Sequence, residues 1–318
     1  MSIIRVDATQ VSQVRRLWQR SRYLYHNLGA EDLTALLTKQ VALLAEESGQ
    51  PWGFICLHEE PRPATLPTAA PTRVYLRALA LTRGRAPAVY VTDLVNAAIS
   101  HLRPSMQGHL LIAYADADWV RMPLFQAGFT LAEEVQFLEF AQVQRWRLSA
   151  ATPQPSLHLH PGQVADLEAL AALDAAAFTP LWHFDATALH ELLMTGRLQV
   201  ASAEGGLIGY TALTTSDRHA HLARLAVHPH MQRRGIGKFL LEDVLRYAQT
   251  AGVETMLLNT QVHNHTAQHL YRAVGFRPTG RITPVLTLQM PPANQPPHAS
   301  PAASTTDSTP DVTVEVAV

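Results

Sequence analysis

Residues 228–241 read HPHMQRRGIGKFLL. The stretch follows an apolar run, His221–Val227, that reads as a strand. It opens a segment, Lys238–Gln249, in which Leu240, Leu241, Val244, Leu245 and Ala248 share one helical face. QRRGIG therefore occupies a strand-to-helix turn. Glycines at 235 and 237 keep side chains out of a ligand's way, and the first amides of a helix, with its dipole, favour an anion. Arg233, Arg234 and Lys238 add positive charge at the rim. Taken alone, the turn reads either as a phosphate site or as an ordinary tight turn with solvated basic residues. A Walker loop needs G-x-x-x-x-G-K-S/T, which is absent, and a dinucleotide fingerprint needs a third glycine where Lys238-Phe239-Leu240 stands.

Downstream, Thr255–Val262 (TMLLNTQV) reads as a second strand. Asn264 is placed to cap a helix carrying Ala267, Leu270, Tyr271 and Val274 at helical spacing, and Gly275-Phe276 ends that helix. The run LAVHPHMQRRGIGKFLLEDVL followed by NHTAQHLYRAVGF resembles the GNAT superfamily of acyl-CoA-dependent N-acetyltransferases. Gln232, Gly235 and Gly237 match the family's loop form Q/R-x-x-G-x-G/A. Asn264, Ala267, Leu270, Tyr271, Gly275 and Phe276 match its second signature, N-x-x-A-x-x-L-Y-x-x-x-G-F. The resemblance covers roughly residues 155–290.

The resemblance implies acetyl-CoA as co-substrate, with its pyrophosphate on the loop Gln232, Arg233, Arg234, Gly235, Ile236, Gly237 and Lys238. It implies a pantetheine arm in a gap between two splayed strands, beside the backbone of Leu225, Ala226 and Val227, with Asn264 at both the cofactor and the catalytic centre. Tyr271 takes the position of the acid that protonates the leaving thiolate. In ribosomal-protein alanine acetyltransferases, which this half resembles, a glutamate lies on the strand after the helix; Asn259 stands here. An amide cannot take a proton, and His263 and His265 are the candidates in its place. Neutralising a lysine amine at pH 7 costs about 4.6 kcal/mol, against about 1 kcal/mol for an α-amine. A weak base therefore favours amines of low pKa. The acceptor expected is a primary amine, on a small molecule or a protein N-terminus.

The first half repeats the order of elements: QPWGFICL, YLRALALT, DLVNAAISHL, HLLIAYAD and LFQAGF parallel GLIGYTAL, ARLAVHP, FLLEDVLRYA, TMLLNTQV and LYRAVGF. Leu79 to Gly128 spans 49 positions, and Leu225 to Gly275 spans 50. In this copy LTRGRAPAV lacks the glycine pair, Pro87 interrupts the helix start, and Leu124 stands where the other half has Tyr271. The expected fold is α/β of the α+β type: two GNAT-like domains, each a mixed, mostly antiparallel sheet flanked by helices. The degenerate copy is expected at 1–148, a linker at 149–162, the catalytic domain at 155–290 and a disordered Pro/Ser/Thr-rich tail at 291–318. Trp18, Tyr23, Tyr25 and Trp182 are candidates for a substrate wall or for packing.

With 47% apolar residues, 318 residues suffice for two cores, and a net charge of -1 offers no global field for nucleic acid. The single cysteine, Cys56, reads as a core residue. Sixteen histidines, several in H-x-H pairs, have neither an HExxH pattern nor a carboxylate partner, so no metal site is expected. The start lacks a signal-peptide core, and no apolar run approaches the about 18 residues of a membrane span, which leads to a cytoplasmic expectation with no membrane partner. A homodimer is left open. The rival classes are a non-catalytic acyl-CoA sensor or scaffold and, on the glycine loop alone, a nicotinamide-dependent oxidoreductase.

Overall fold

The computed structural model describes residues 2–27, 37, 41–61, 70–102, 105–147, 157–203 and 206–292. Their contacts fall into two units. The first holds the described chain up to Glu133 and takes it up again at Thr283; the second holds Glu134–Ile282. In each, parallel and antiparallel strand pairs are flanked by helices.

In the first unit the continuous apolar runs VALLA and FICL become β3 (Val41–Glu47) and β4 (Gln50–Glu59), buried on both faces. Ser48 and Gly49, both at positive φ (50° and 73°), close the hairpin between them. The strand order is β1 (Ser2–Arg5), β3, β4, β5 (Thr72–Thr82), β6 (His109–Tyr114) and β13 (Arg277–Met290). Within it β5 and β6 are the parallel pair. Helix α1 (Val11–Arg20) covers one face through Val14 and Leu17. Helices α2 (Pro87–Ser100) and α3 (Asp118–Gln126) cover the other through Val91, Leu94, Val120 and Leu124.

The parallel pairing of β5 with β6 extends from Thr72–Tyr75 against His109–Ile112 and then stops. Strand β2 (Ser21–His26) takes the edge that β6 leaves, pairing with Ala78–Thr82. The Tyr25 hydroxyl donates to Leu76 O at 3.3 Å, and Asn27 N–H donates to Arg77 O at 2.8 Å. The aromatic run SRYLYH is thus a strand of this sheet.

The second unit runs β7 (Thr130–Phe140), β12 (Thr255–Gln261), β11 (His219–Val227), β10 (Gly206–Ser216), β9 (Arg197–Ala203) and β8 (His158–Pro161), again with one parallel pair, β11 and β12. Helices α6 (Ile236–Thr250) and α7 (His265–Val274) pack one face; Leu240, Leu241, Val244, Leu245 and Tyr271 join Leu222, Leu225, Met256 and Leu258 in its core. Helices α4 (Leu167–Ala177) and α5 (Ala186–Thr195) lie on the opposite face.

Two stretches fall on the other side of the expected boundaries. Residues 134–140 of β7 belong to the second unit, where Val135–Phe140 pair with Gln261–Met256. Residues 283–290 of β13 belong to the first, where Val285–Met290 pair with Tyr114–His109. Contiguous ranges of 1–148 and 155–290 do not describe this arrangement, because the strand that completes each sheet comes from elsewhere in the chain. Residues 158–161, inside the expected linker, form β8 and pair with β9. The linker from 149 to 156, the proline-rich stretch 62–69 and the tail from 293 lie outside the described residues. Among the described residues no helix is long and apolar enough to cross a membrane.

Candidate active site

Strands β11 and β12 pair through His219–His221 against Thr255–Leu257 and then part. From Leu222 to Val227 the edge of β11 turned away from β10 has no strand partner among the described residues. This is a fork in the sheet, and unpaired backbone groups along it call for a ligand. Leu225, Ala226 and Val227 lie on this edge, all buried.

The fork ends in the QRRGIG turn. Arg233 and Gly235 both sit in the left-handed region (φ 60° and 80°), and Gly235 caps α6. Alternating left-handed residues turn successive amides towards one side, a geometry that cradles anions. Phe239 N–H makes the first helical bond, to Gly235 O at 3.0 Å, so the amides of Gly235, Ile236 and Gly237 precede the ladder. A Cβ on Gly235 would meet nothing within 4 Å, so it is the positive φ rather than crowding that calls for glycine there. Gly237 instead faces Leu270, Leu225 and Val227 at 3.4–3.9 Å and sets the helix against the sheet.

The side chains of the loop divide their work. Gln232 Nε2 donates to Val227 O at 3.1 Å and ties the turn to the end of β11. Lys238 Nζ is drawn to Glu242 at 3.8 Å, while Arg233 and Arg234 are exposed at the rim. Asn264 spends Oδ1 on its helix, accepting from Ala267 N–H at 3.0 Å, so capping is the role its geometry displays.

Tyr271 lies on α7, fully buried, with its ring edge-on to Phe276 at 5.8 Å. Its hydroxyl has no hydrogen-bond partner, and neither has that of Thr260, also fully buried on β12. Leaving a buried hydroxyl unpaired costs about 1–3 kcal/mol, so such groups mark a place that a polar ligand completes. Burial pushes the phenol's pKa well above its ordinary value, and the charge of Arg224 offsets part of that. The hydroxyl therefore holds its proton at neutral pH. Gly275 and Phe276 fix the ring: a Cβ on Gly275 would reach Phe140 at 2.9 Å, and Phe276 N–H donates to Tyr271 O at 3.0 Å.

The opposite face carries a cluster that the sequence did not disclose. Arg224 on β11 and Asp174 on α4, both fully buried, join through Nε–Oδ2 at 2.8 Å and Nη2–Oδ1 at 2.6 Å. Arg224 also donates to Trp182 O at 2.8 Å and lies over the rings of Phe178 (3.4 Å) and Phe184 (4.1 Å). Asp174 accepts further from the Tyr210 hydroxyl and from Phe184 N–H. The network clamps the α4–α5 connection onto the sheet beside the fork. Replacing Asp174 with Ala strands a buried guanidinium and is expected to cost about 3–5 kcal/mol of stability, read as a lower urea midpoint. Loss below about 1 kcal/mol would show that the clamp is not structural.

The aromatic candidates resolve as packing. Trp182 is buried in this clamp, Trp18 stacks on His26, and Tyr23 meets Trp119. His263 and His265 sit at the turn into α7, His265 N–H donating to His263 O at 2.8 Å. The residue missed was His221, at the root of the fork; in sequence it is one histidine among many, and its place depends on the register with β12.

Residues 167–276 match the profile of the Acetyltransferase (GNAT) family. Over 120 residues the chain is 26% identical to a protein of Bacillus subtilis (strain 168) named as a ribosomal protein bS18-alanine N-acetyltransferase, covering 37% of this chain and 79% of that one. Over 57 residues it is 42% identical to the enzyme of that name from Salmonella typhimurium, covering 18% of this chain and 38% of the relative. A tandem GNAT protein from the clavulanic acid biosynthesis pathway superposes with a TM-score of 0.59 at 17% identity, across 92% of this chain and 99% of that one. The fold is that of the GNAT-superfamily acetyltransferases, and acetyl-CoA is the co-substrate that goes with the matched segment.

Proposed function

We propose that the second unit moves an acetyl group from acetyl-CoA to a primary amine by direct attack, and that the first unit, built on the same plan, binds no acyl-CoA. The observation that carries this reading is the fork: an unpaired β11 edge that leads from Leu222 to a positive-φ turn at a helix start. When bound, acetyl-CoA supplies the acetyl thioester. The amides of Gly235, Ile236 and Gly237 would hold its pyrophosphate, and backbone N–H groups of Leu225–Val227 would steady the charge that develops on the thioester oxygen. Tyr271 would donate its proton to the leaving sulfur. Asn264 orders the start of α7 and, through it, Tyr271.

The first unit supports the other half of the proposal. Its fork is already filled by β2. Its turn offers Gly84 alone, Pro87 at the helix start has no N–H to give, and Arg85 is held by Glu47 and by the rings of Trp52 and Tyr90, both at 4.9 Å. Leu124 packs in the core where the second unit has Tyr271.

Acetyl-CoA incubated with a panel of α-amines, amino sugars, polyamines and N-terminal peptides is the test. Amine-dependent thiol release supports the reading; acetyl-CoA binding without release from any amine would make the protein a sensor. The Salmonella relative's name places an alanine among the acceptors worth including first.

A further inference from the structure

His221 is the last residue of β11 still paired with β12, opposite Leu257; the fork opens at the next residue. Alternation along a strand, with the irregularity opposite Ala212–Leu213, puts His221 on the face of Arg224, while Leu222 and Leu225 enter the core that holds Tyr271. On β12 the same rule puts Leu257, Asn259 and Gln261 on the face of His221, and Met256, Leu258 and Thr260 on that of Tyr271. The fork thus has a proton donor on one face and an imidazole on the other. Beside the imidazole, the buried Asn259 side chain hydrogen-bonds to it, and both polar ends of the fully buried Gln261 side chain have no partner. That unpaired amide on the imidazole's side marks where a second polar ligand docks.

We propose that His221 accepts the proton of the attacking amine, with Asn259 positioning the imidazole, and that the acceptor is consequently an α-amine in preference to a lysine side chain. The proposal rests on the acetyltransfer reading and adds to it the missing base. As the amine nitrogen bonds to the acetyl carbon, the C–S bond breaks. The nitrogen's proton passes to neutral imidazole, and the sulfur takes the proton of Tyr271. The imidazolium then returns a proton to the phenolate through solvent, leaving amide and free thiol.

The charged groups around His221 leave its neutral form in place. On its own face Arg224 is spent on Asp174, and Tyr210 on β10 donates to the same carboxylate. His219 is exposed, Glu139 stands beyond Leu257 on β7, and Arg281 lies over Phe137 at 4.4 Å. Burial holds the imidazole below its ordinary value, and Asn259 beside it offsets part of that. A base of such low pKa matches an amine near 7.8 better than one near 10.4, because the latter must first lose a proton to water.

The test follows thiol release with alaninamide and with the side-chain amine of Nα-acetyl-lysinamide, the preference being read per total amine at about pH 7 and the pH limb per free-base amine. The wild type is expected to prefer alaninamide and to gain activity with rising pH up to a plateau, through a pKa below about 6.5. His221→Gln is expected to lower kcat about 10²–10³-fold, to lose that limb, and to keep its acetyl-CoA Kd. Added imidazole is expected to restore part of the activity of His221→Gly, which a purely structural role would not allow. A kcat within threefold of wild type in His221→Gln, or an unchanged pH limb, would overturn the proposal alone. Acetyl-CoA binding with no thiol release from either amine in the wild type would overturn the acetyltransfer reading and this proposal together.

Discussion

A fragment of residues 155–292, cut inside the expected linker at 149–162, is expected not to fold. It lacks Val135–Phe140, which pair with the whole length of β12, and so exposes a strand edge beside the fork. It also lacks Leu138 and Val143, both fully buried in the core of the second unit, and the partly buried Phe140 and Trp146 packed against it. At about 1.5–3 kcal/mol for each fully buried side chain, Leu138 and Val143 alone account for about 3–6 kcal/mol, a large part of the about 5–15 kcal/mol that holds a domain together. Gln249 would lose its hydrogen bonds to Val143 O (2.8 Å) and Trp146 O (2.9 Å). Extending the fragment to begin at residue 128 is expected to recover a dispersed amide spectrum and a cooperative urea transition. A cooperative transition in the shorter fragment would mean that β7 is dispensable.

Tyr271→Phe is expected to lower kcat about 10²–10⁴-fold, the usual range for removing a general acid, while leaving acetyl-CoA affinity within about twofold. The substitution keeps the ring that packs on Phe276 and removes a hydroxyl that has no partner in the free protein. The ligand-free variant should therefore be more stable than wild type, by about 1 kcal/mol or more. Activity and stability moving in opposite directions is the signature of a group held strained for its chemistry. An unchanged kcat would move the acid elsewhere, and a loss of stability would show that the hydroxyl is satisfied in solution.

What could be read in advance was what lies contiguous in sequence. The turn, the capping Asn264, the Tyr271 helix and its Gly275-Phe276 stop are local patterns, and each became the element they predict. The Asp174–Arg224 pair joins residues 50 positions apart, and nothing near either names the other. His221 gains meaning from Leu257 opposite it, a register set by the whole sheet. SRYLYH reads as an aromatic cluster until β5 offers it an edge. The contacts divide elsewhere than at 148–162 for a related reason: strands β7 and β13 find partners across long separations, which composition does not record. For Gln232 and Lys238 the sequence offered the loop but not the partners of their side chains, Val227 O and Glu242.

Titration of acetyl-CoA into the full chain by calorimetry, alongside Gly235→Val, tests the central claim most directly. A side chain at Gly235 (φ 80°) carries about 1–3 kcal/mol of backbone strain, which disturbs the turn that presents the amides. The account predicts one site per chain in the wild type and loss of at least about tenfold in affinity in Gly235→Val. Two sites, or one site that survives Gly235→Val unchanged, would place acyl-CoA binding outside the fork and contradict it.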